Sequence, residues 1–140
     1  MIPISIQLVG ISAERLSQAI PPRVDFSINL TLPSGEIMRK GNQVTIPFVF
    51  TVMSTPPIVQ ITLKGSVMVS ASSESDAKKL EEDIVNKKMP LPIVQAVMAY
   101  ALADTVYLSR SLGLPPPIPQ LTPPQQVQDS KQGFKQNSII

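Results

Sequence analysis

Val44-Thr45-Ile46-Pro47-Phe48-Val49-Phe50-Thr51-Val52 decides the fold class. Five apolar side chains alternate with Thr45, Pro47, Val49 and Thr51, so one face of an extended chain is wholly apolar and the other is not. Working outward, Val24, Phe26, Ile28 and Leu30 alternate with Asp25, Ser27, Asn29 and Thr31, and stop at the turn Leu32-Pro33-Ser34-Gly35. Beyond Pro56-Pro57, Val59, Ile61, Leu63, Val67 and Val69 point one way, and Gln60, Thr62, Lys64 and Ser66 the other. Near the start, Ile4, Ile6 and Leu8 alternate with Ser5 and Gln7 as far as Gly10. One covered and one wet face is the habit of antiparallel sheets. The links among the last three strands are too short for a helical crossover, so they should form a meander. Pro47 cannot donate to a ladder, which predicts an edge or a bulge there. Residues 12–20 have room for one helical turn or an irregular loop.

After Ser70 the period changes. Ser73 before Glu74-Ser75-Asp76 reads as a helix N-cap with an acidic first turn. Glu74 with Lys78, and Asp83 with Lys87, stand four apart and support a short, mostly solvated helix. Pro92 then opens a long helix from about Ile93 to Leu112, with Gly113 as its stop. This helix is apolar nearly all round, which requires burial nearly all round. A four-stranded sheet covers one side of it. The small-residue row Ala96, Ala99 and Ala103 is therefore the expected interface with a second copy of the chain. The fold class expected is α+β, a four-stranded antiparallel sheet with one long helix packed on it.

Residues 1–121 are expected to form one domain. Six prolines fall between Pro115 and Pro124, and Pro115-Pro116-Pro117-Ile118-Pro119 should be polyproline II, docked if Ile118 and Leu121 are buried. Residues 122–140 are a Pro/Gln-rich tail whose composition cannot form a core and which is expected to be disordered.

Composition restricts the chemistry. The 140 residues include no Cys and no His, which excludes a disulfide framework, zinc-finger and Fe–S ligation, a thiol nucleophile and an imidazole base. Ten Asp and Glu scattered along the chain leave no evident metal site, and no Gly-rich phosphate loop exists. Asp104, the one acid inside the long helix, reads as a solvent-facing edge, and Glu81-Glu82-Asp83 as a solvated face. No enzyme activity, metal or cofactor is expected. Net charge is +2 with dispersed cations, unlike the clustered basic face of a nucleic-acid binder. The run Leu91–Ala103 is too short for a membrane span, and the N-terminus lacks the pattern of a signal peptide, so a cytoplasmic location without membrane insertion is expected.

Apolar residues left over from the core register are the candidate binding surface. They are Val49 and Met53 on or beside the minor face of the third strand, and Ile58 and Met68 on that of the fourth. Met89 and Leu91 in the connection before the long helix complete the set of peptide-binding candidates. Flexible thioethers suit promiscuous apolar contacts, and gap-filling in an ordinary core is the plainer reading of them.

The order of elements resembles the SecB chaperone family. The residues that carry the resemblance are Leu91-Pro92-Ile93 entering the helix and Leu112-Gly113-Leu114-Pro115-Pro116-Pro117-Ile118-Pro119 leaving it. Val44-Thr45-Ile46-Pro47-Phe48 and Ile61-Thr62-Leu63-Lys64-Gly65 also fit, and the likeness spans roughly residues 4–121 as a pattern more than as identity. The tail here is Gln-rich with Lys131 and Lys135, whereas the bacterial export chaperone meets its motor ATPase through an acidic tail. The chain is thus similar to the divergent SecB-like proteins, which include archaeal members and chaperones of toxin–antitoxin systems. The resemblance implies an ATP-independent holdase for unfolded or nascent polypeptides, with export among its uses, assembled as a dimer or tetramer. It also implies that Met89 and Leu91 border the client groove. The alternative is a non-enzymatic module that docks on one complex such as the ribosome or translocon.

Overall fold

The strand Gln43–Thr55 (β4) runs through the middle of a single antiparallel sheet in the computed structural model, which describes residues 3–115. Ile4–Arg15 (β1), Asp25–Thr31 (β2), Met38–Lys40 (β3) and Val59–Ser70 (β5) complete the sheet, in the order β1-β5-β4-β2, with β3 also on β4. Helices Glu74–Val85 (α1) and Leu91–Ser111 (α2) cover one face, α1 against β3 and β4, α2 against β1 and β5. The expected α+β architecture is what forms, with a short fifth strand added and the short helix expected after Ser73 also packed on the sheet. Residues 116–140, which include the polyproline stretch with Ile118 and Leu121 and the Pro/Gln-rich tail, lie outside the described residues.

Alternation sets the faces as read. Val44, Ile46, Phe48, Phe50 and Val52 of β4 and Val59, Ile61, Leu63, Val67 and Val69 of β5 are fully buried under the helices. Truncating such a Phe to Ala costs about 3–5 kcal/mol, so this face carries most of the stability. Phe26, Ile28 and Leu30 of β2 pack against the same core. The opposite face presents Thr45, Pro47, Thr51, Thr62 and Ser66, all half-buried.

Pro47 corrects one expectation. β4 is central, yet its two neighbours on one side leave a gap, since β3 pairs with Gln43–Thr45 and β2 with Val49–Thr55. Pro47 falls in that gap and is paired on its other side with Ser66. Its carbonyl accepts from the Ser34 N–H at 2.8 Å, so only the N–H that Pro lacks would have gone unused. A second correction concerns residues 12–20. β1 continues through a bulge between Leu8 and Gly10 as far as Arg15, and no helical turn forms. The bulge returns Ala13 to the core face and leaves Val9 exposed. Arg15 then ties the end of β1 to α2, its guanidinium donating to the carbonyls of Ser17, Gln18 and Leu112 at 2.8–3.1 Å.

Ser73 caps α1, its hydroxyl accepting from the Asp76 N–H. On α2 a single row spaced by four, Ile93, Val97, Ala101, Thr105 and Ser109, enters the core. Buried Thr105 satisfies its own hydroxyl by donating to the Ala101 carbonyl. Length and a mean hydropathy of 1.4 would suit α2 to a membrane. The run expected to be too short for a span is thus part of a helix long and apolar enough for one, and a single row of it enters the chain's own core. Its other side is uncovered: Ala99, Tyr100, Ala103, Val106 and Tyr107 are exposed, and Ala96 is half-buried.

Candidate functional site

The connection between β2 and β3 builds a groove. Leu32-Pro33 ends β2 against the core, and the chain then runs out through Gly35 and Glu36 before Ile37 turns back inward. The last turn of α1 hangs over this loop. Between them lies an open groove of about 710 Å³, walled by Leu32, Pro33, Ile37, Ile84, Val85 and Met89. Such a volume falls within the range of ligand sites.

Three charged side chains stand at its edge: Glu36, Glu81 and Lys87. Glu81 accepts from Arg39 at 3.0 Å, an ion pair in which both side chains are about a third exposed, so it links β3 to α1 across the groove wall. The acidic triplet on α1 is thus not uniformly solvated, because Glu81 turns toward the sheet. Lys87 closes α1 in the left-handed region with φ 63°, where Gly is the usual residue. The Lys87 N–H donates to the Ile84 carbonyl and the Lys88 N–H to the Asp83 carbonyl, the paired bonds of a Schellman ending. Among the described residues no cluster of three or more His, Cys, Asp or Glu could hold a metal. The groove offers apolar contact and rim charge.

The six residues singled out in the sequence are not brought together. Met89 lines the groove, half-buried. Leu91 is 63% exposed on the first turn of α2 and is not part of the wall. Val49, Met53 and Met68 are strung along the opposite face of the sheet, facing Lys64, Gln60 and Thr45 in the β4–β5 register. Met53 is exposed, and Val49 and Met68 are half-buried. Ile58 is a correction: it is 1% exposed and belongs to the core, not to a minor face. The cause is Ser54, whose buried hydroxyl accepts from the Ile58 and Val59 N–H groups at 2.8 and 3.2 Å and donates to the Pro56 carbonyl. This knot turns the chain so that two successive residues face inward. Reading the alternation straight through the turn could not show that.

Leu32, Pro33, Ile37, Ile84 and Val85 were missing from the candidate set. Leu32-Pro33-Ser34-Gly35 carried a turn signal, which masked its apolar content. Ile84-Val85 is an adjacent apolar pair at the end of a polar helix, and one helix face cannot bury both. That pair was the available clue.

No family model and no curated protein sequence matches the chain. Among solved structures it is similar to the Mycobacterium tuberculosis SecB-like chaperone Rv1957, determined in complex with a ChAD peptide from the Rv1956 HigA1 antitoxin. The likeness has a TM-score of 0.58 at 10% sequence identity and covers 83% of this chain and 85% of that one. At that identity the similarity speaks for the fold: this chain has an α+β fold similar to that of a SecB-like chaperone.

Proposed function

We propose that this protein is a non-enzymatic, ATP-independent chaperone that holds unfolded or nascent polypeptide segments in the groove between the Leu32–Ile37 loop and the end of α1. The observation that carries the reading is the groove itself, six apolar side chains around an open groove at the edge of the main core. Its dimensions suit an apolar side chain of an extended segment, and Met89 supplies an adaptable wall. The structural neighbour supports the reading, being a SecB-like chaperone with a peptide bound. That neighbour is bacterial, so an archaeal affiliation gains no support from it.

The proposal includes a homo-oligomer working in the cytoplasm. Two uncovered surfaces support assembly. The outward side of α2 presents Ala96, Ala99 and Ala103 with Tyr100 and Tyr107 beside them, and β1 is a twelve-residue edge strand without a charge before Glu14. A long apolar edge is a template for pairing with another chain.

The test uses the full chain without nucleotide and several unrelated denatured clients. Suppressed aggregation of all of them is expected. Val85→Lys, at an exposed position that a Lys suits at a helix end, should weaken client binding at least about tenfold by placing a charge in the groove. Met89→Ser should weaken binding, and Met68→Ser, on the opposite face of the sheet, should not. Indifference to every client, with one stable complex captured instead, would establish the docking-module alternative.

A further inference from the structure

A second cavity lies on the far flank of α1. It measures about 550 Å³, and Pro3, Val69, Asp76 and Leu80 are among the residues that line it. At about 100° per residue, Leu80 and Asp76 stand about 40° and 80° to one side of Ile84, whereas Glu81 and Val85 of the first groove stand about 60° and 100° to the other. Buried Ala77 falls between the two sets, so the helix itself separates the cavities. Beneath it, β3 pairs with Gln43–Thr45, and Val44 of β4 faces Val69 of β5, both fully buried. Val69 also lines the second cavity, so one apolar floor runs between the two and α1 lies across it.

This helix is lightly seated. Only Ala77 and Ile84 of its twelve side chains are fully buried, and few buried contacts place a segment at the low-stability end of a fold. At its N-terminal link, the Asn42 side-chain amide donates to the Ala71 carbonyl at 2.9 Å and the Asn42 carbonyl accepts from the Ala71 N–H at 2.8 Å. Toward the other end, Arg39–Glu81 is the one ion pair that joins α1 to the sheet among the described residues. Glu36 on the loop and Lys87 at the helix end make no ion pair there and do not hold it. Residues 86–90, fully extended, span about 16 Å and leave that end room to rise.

We infer that α1 is a gate over a single polypeptide channel, with the Asn42–Ala71 link as its hinge and Arg39–Glu81 as its latch. The inference rests on the reading of the first groove as a polypeptide site and says how that site takes an extended chain. Closed, the protein offers two separate cavities of about 710 and 550 Å³ and turns the exposed Lys78, Lys79 and Glu82 to water. Raised, α1 uncovers Val44 and Val69 and joins the cavities into one trough. A helix about 10 Å across corresponds to about three extended residues, so one segment can seat an apolar side chain in each cavity. Clients then select the open state, and their apparent affinity scales with its population.

The test compares the full-length parent with Arg39→Ala, Glu81→Gln and the exchanged pair Arg39→Glu with Glu81→Arg. Amide hydrogen exchange in α1 should quicken about 2–5-fold in each single variant, the weight of one partly exposed ion pair, and return toward the parent rate in the exchanged pair. The binding probe is an uncharged, end-blocked Leu/Ser peptide of about ten residues, long enough to reach both cavities. Having no charge, it is insensitive to Glu36 and Lys87. Its affinity should rise by the same factor as the exchange rate and fall back in the exchanged pair. N-acetyl-leucine amide, which fills one cavity without the gate moving, should bind all four proteins alike. Quickened exchange with unchanged peptide affinity would overturn the gate and leave the chaperone reading standing, as would an equal gain for the peptide and for N-acetyl-leucine amide. Exchange unmoved by either single substitution would overturn it too. A peptide that binds none of the four proteins would refute the polypeptide reading itself, and the gate with it.

Discussion

Gly65 lies directly opposite Phe48 in the β4–β5 ladder, and the Phe48 ring occupies the space a Gly65 side chain would need. A Cβ there would stand 2.9 Å from Phe48 Cε2 and Cζ and would press on the Gln7 carbonyl of β1. Gly65→Ala should therefore destabilise the protein by about 2–3 kcal/mol in urea unfolding. Phe48→Leu should relieve part of that, making the double variant at least about 1 kcal/mol more stable than the sum of the singles. Strict additivity would show that ring and glycine are not coupled.

The Ser54 knot gives a second prediction. Its hydroxyl is the acceptor for two buried backbone N–H groups. Ser54→Ala leaves both unsatisfied and should cost about 1–3 kcal/mol, with faster hydrogen exchange at Ile58 and Val59. Unchanged exchange at those two amides would rule out the knot as the cause of Ile58 burial.

Lys87 holds a left-handed conformation at the groove rim where Gly carries no steric cost. Lys87→Gly should raise thermal stability by about 1 kcal/mol while removing the rim's cation. If the residue serves the groove, the more stable variant should bind acidic client peptides less well. Equal binding by both proteins would make Lys87 a costly ending and nothing more.

Ala99 is exposed on α2, so Ala99→Glu should leave the unfolding free energy of the single chain within about 0.5 kcal/mol. In an assembly packed through α2 the same change forces a charge into a desolvated contact. Light scattering should then show parent protein as a multiple of 15.2 kDa and the variant as smaller species. A parent protein that already scatters as a single chain would remove the oligomer from the proposal.

Local periodicity alone settled the α+β class, the buried faces of β2, β4 and β5, the Ser73 cap and the long helix opened by Pro92, because each depends on residues close in sequence. Which strand is central was not legible. Pro47 argued for an edge, and only the gap between β2 and β3 reconciles it with the middle of the sheet. Ile58 went inward because a hydroxyl four residues earlier gathered the turn. The groove has no contiguous signature at all: its walls come from the Leu32–Ile37 loop and, more than forty residues later, from the end of α1 and the link to α2. Sequence spacing orders neighbours along one element, whereas a site between elements exists only once packing has chosen which faces meet.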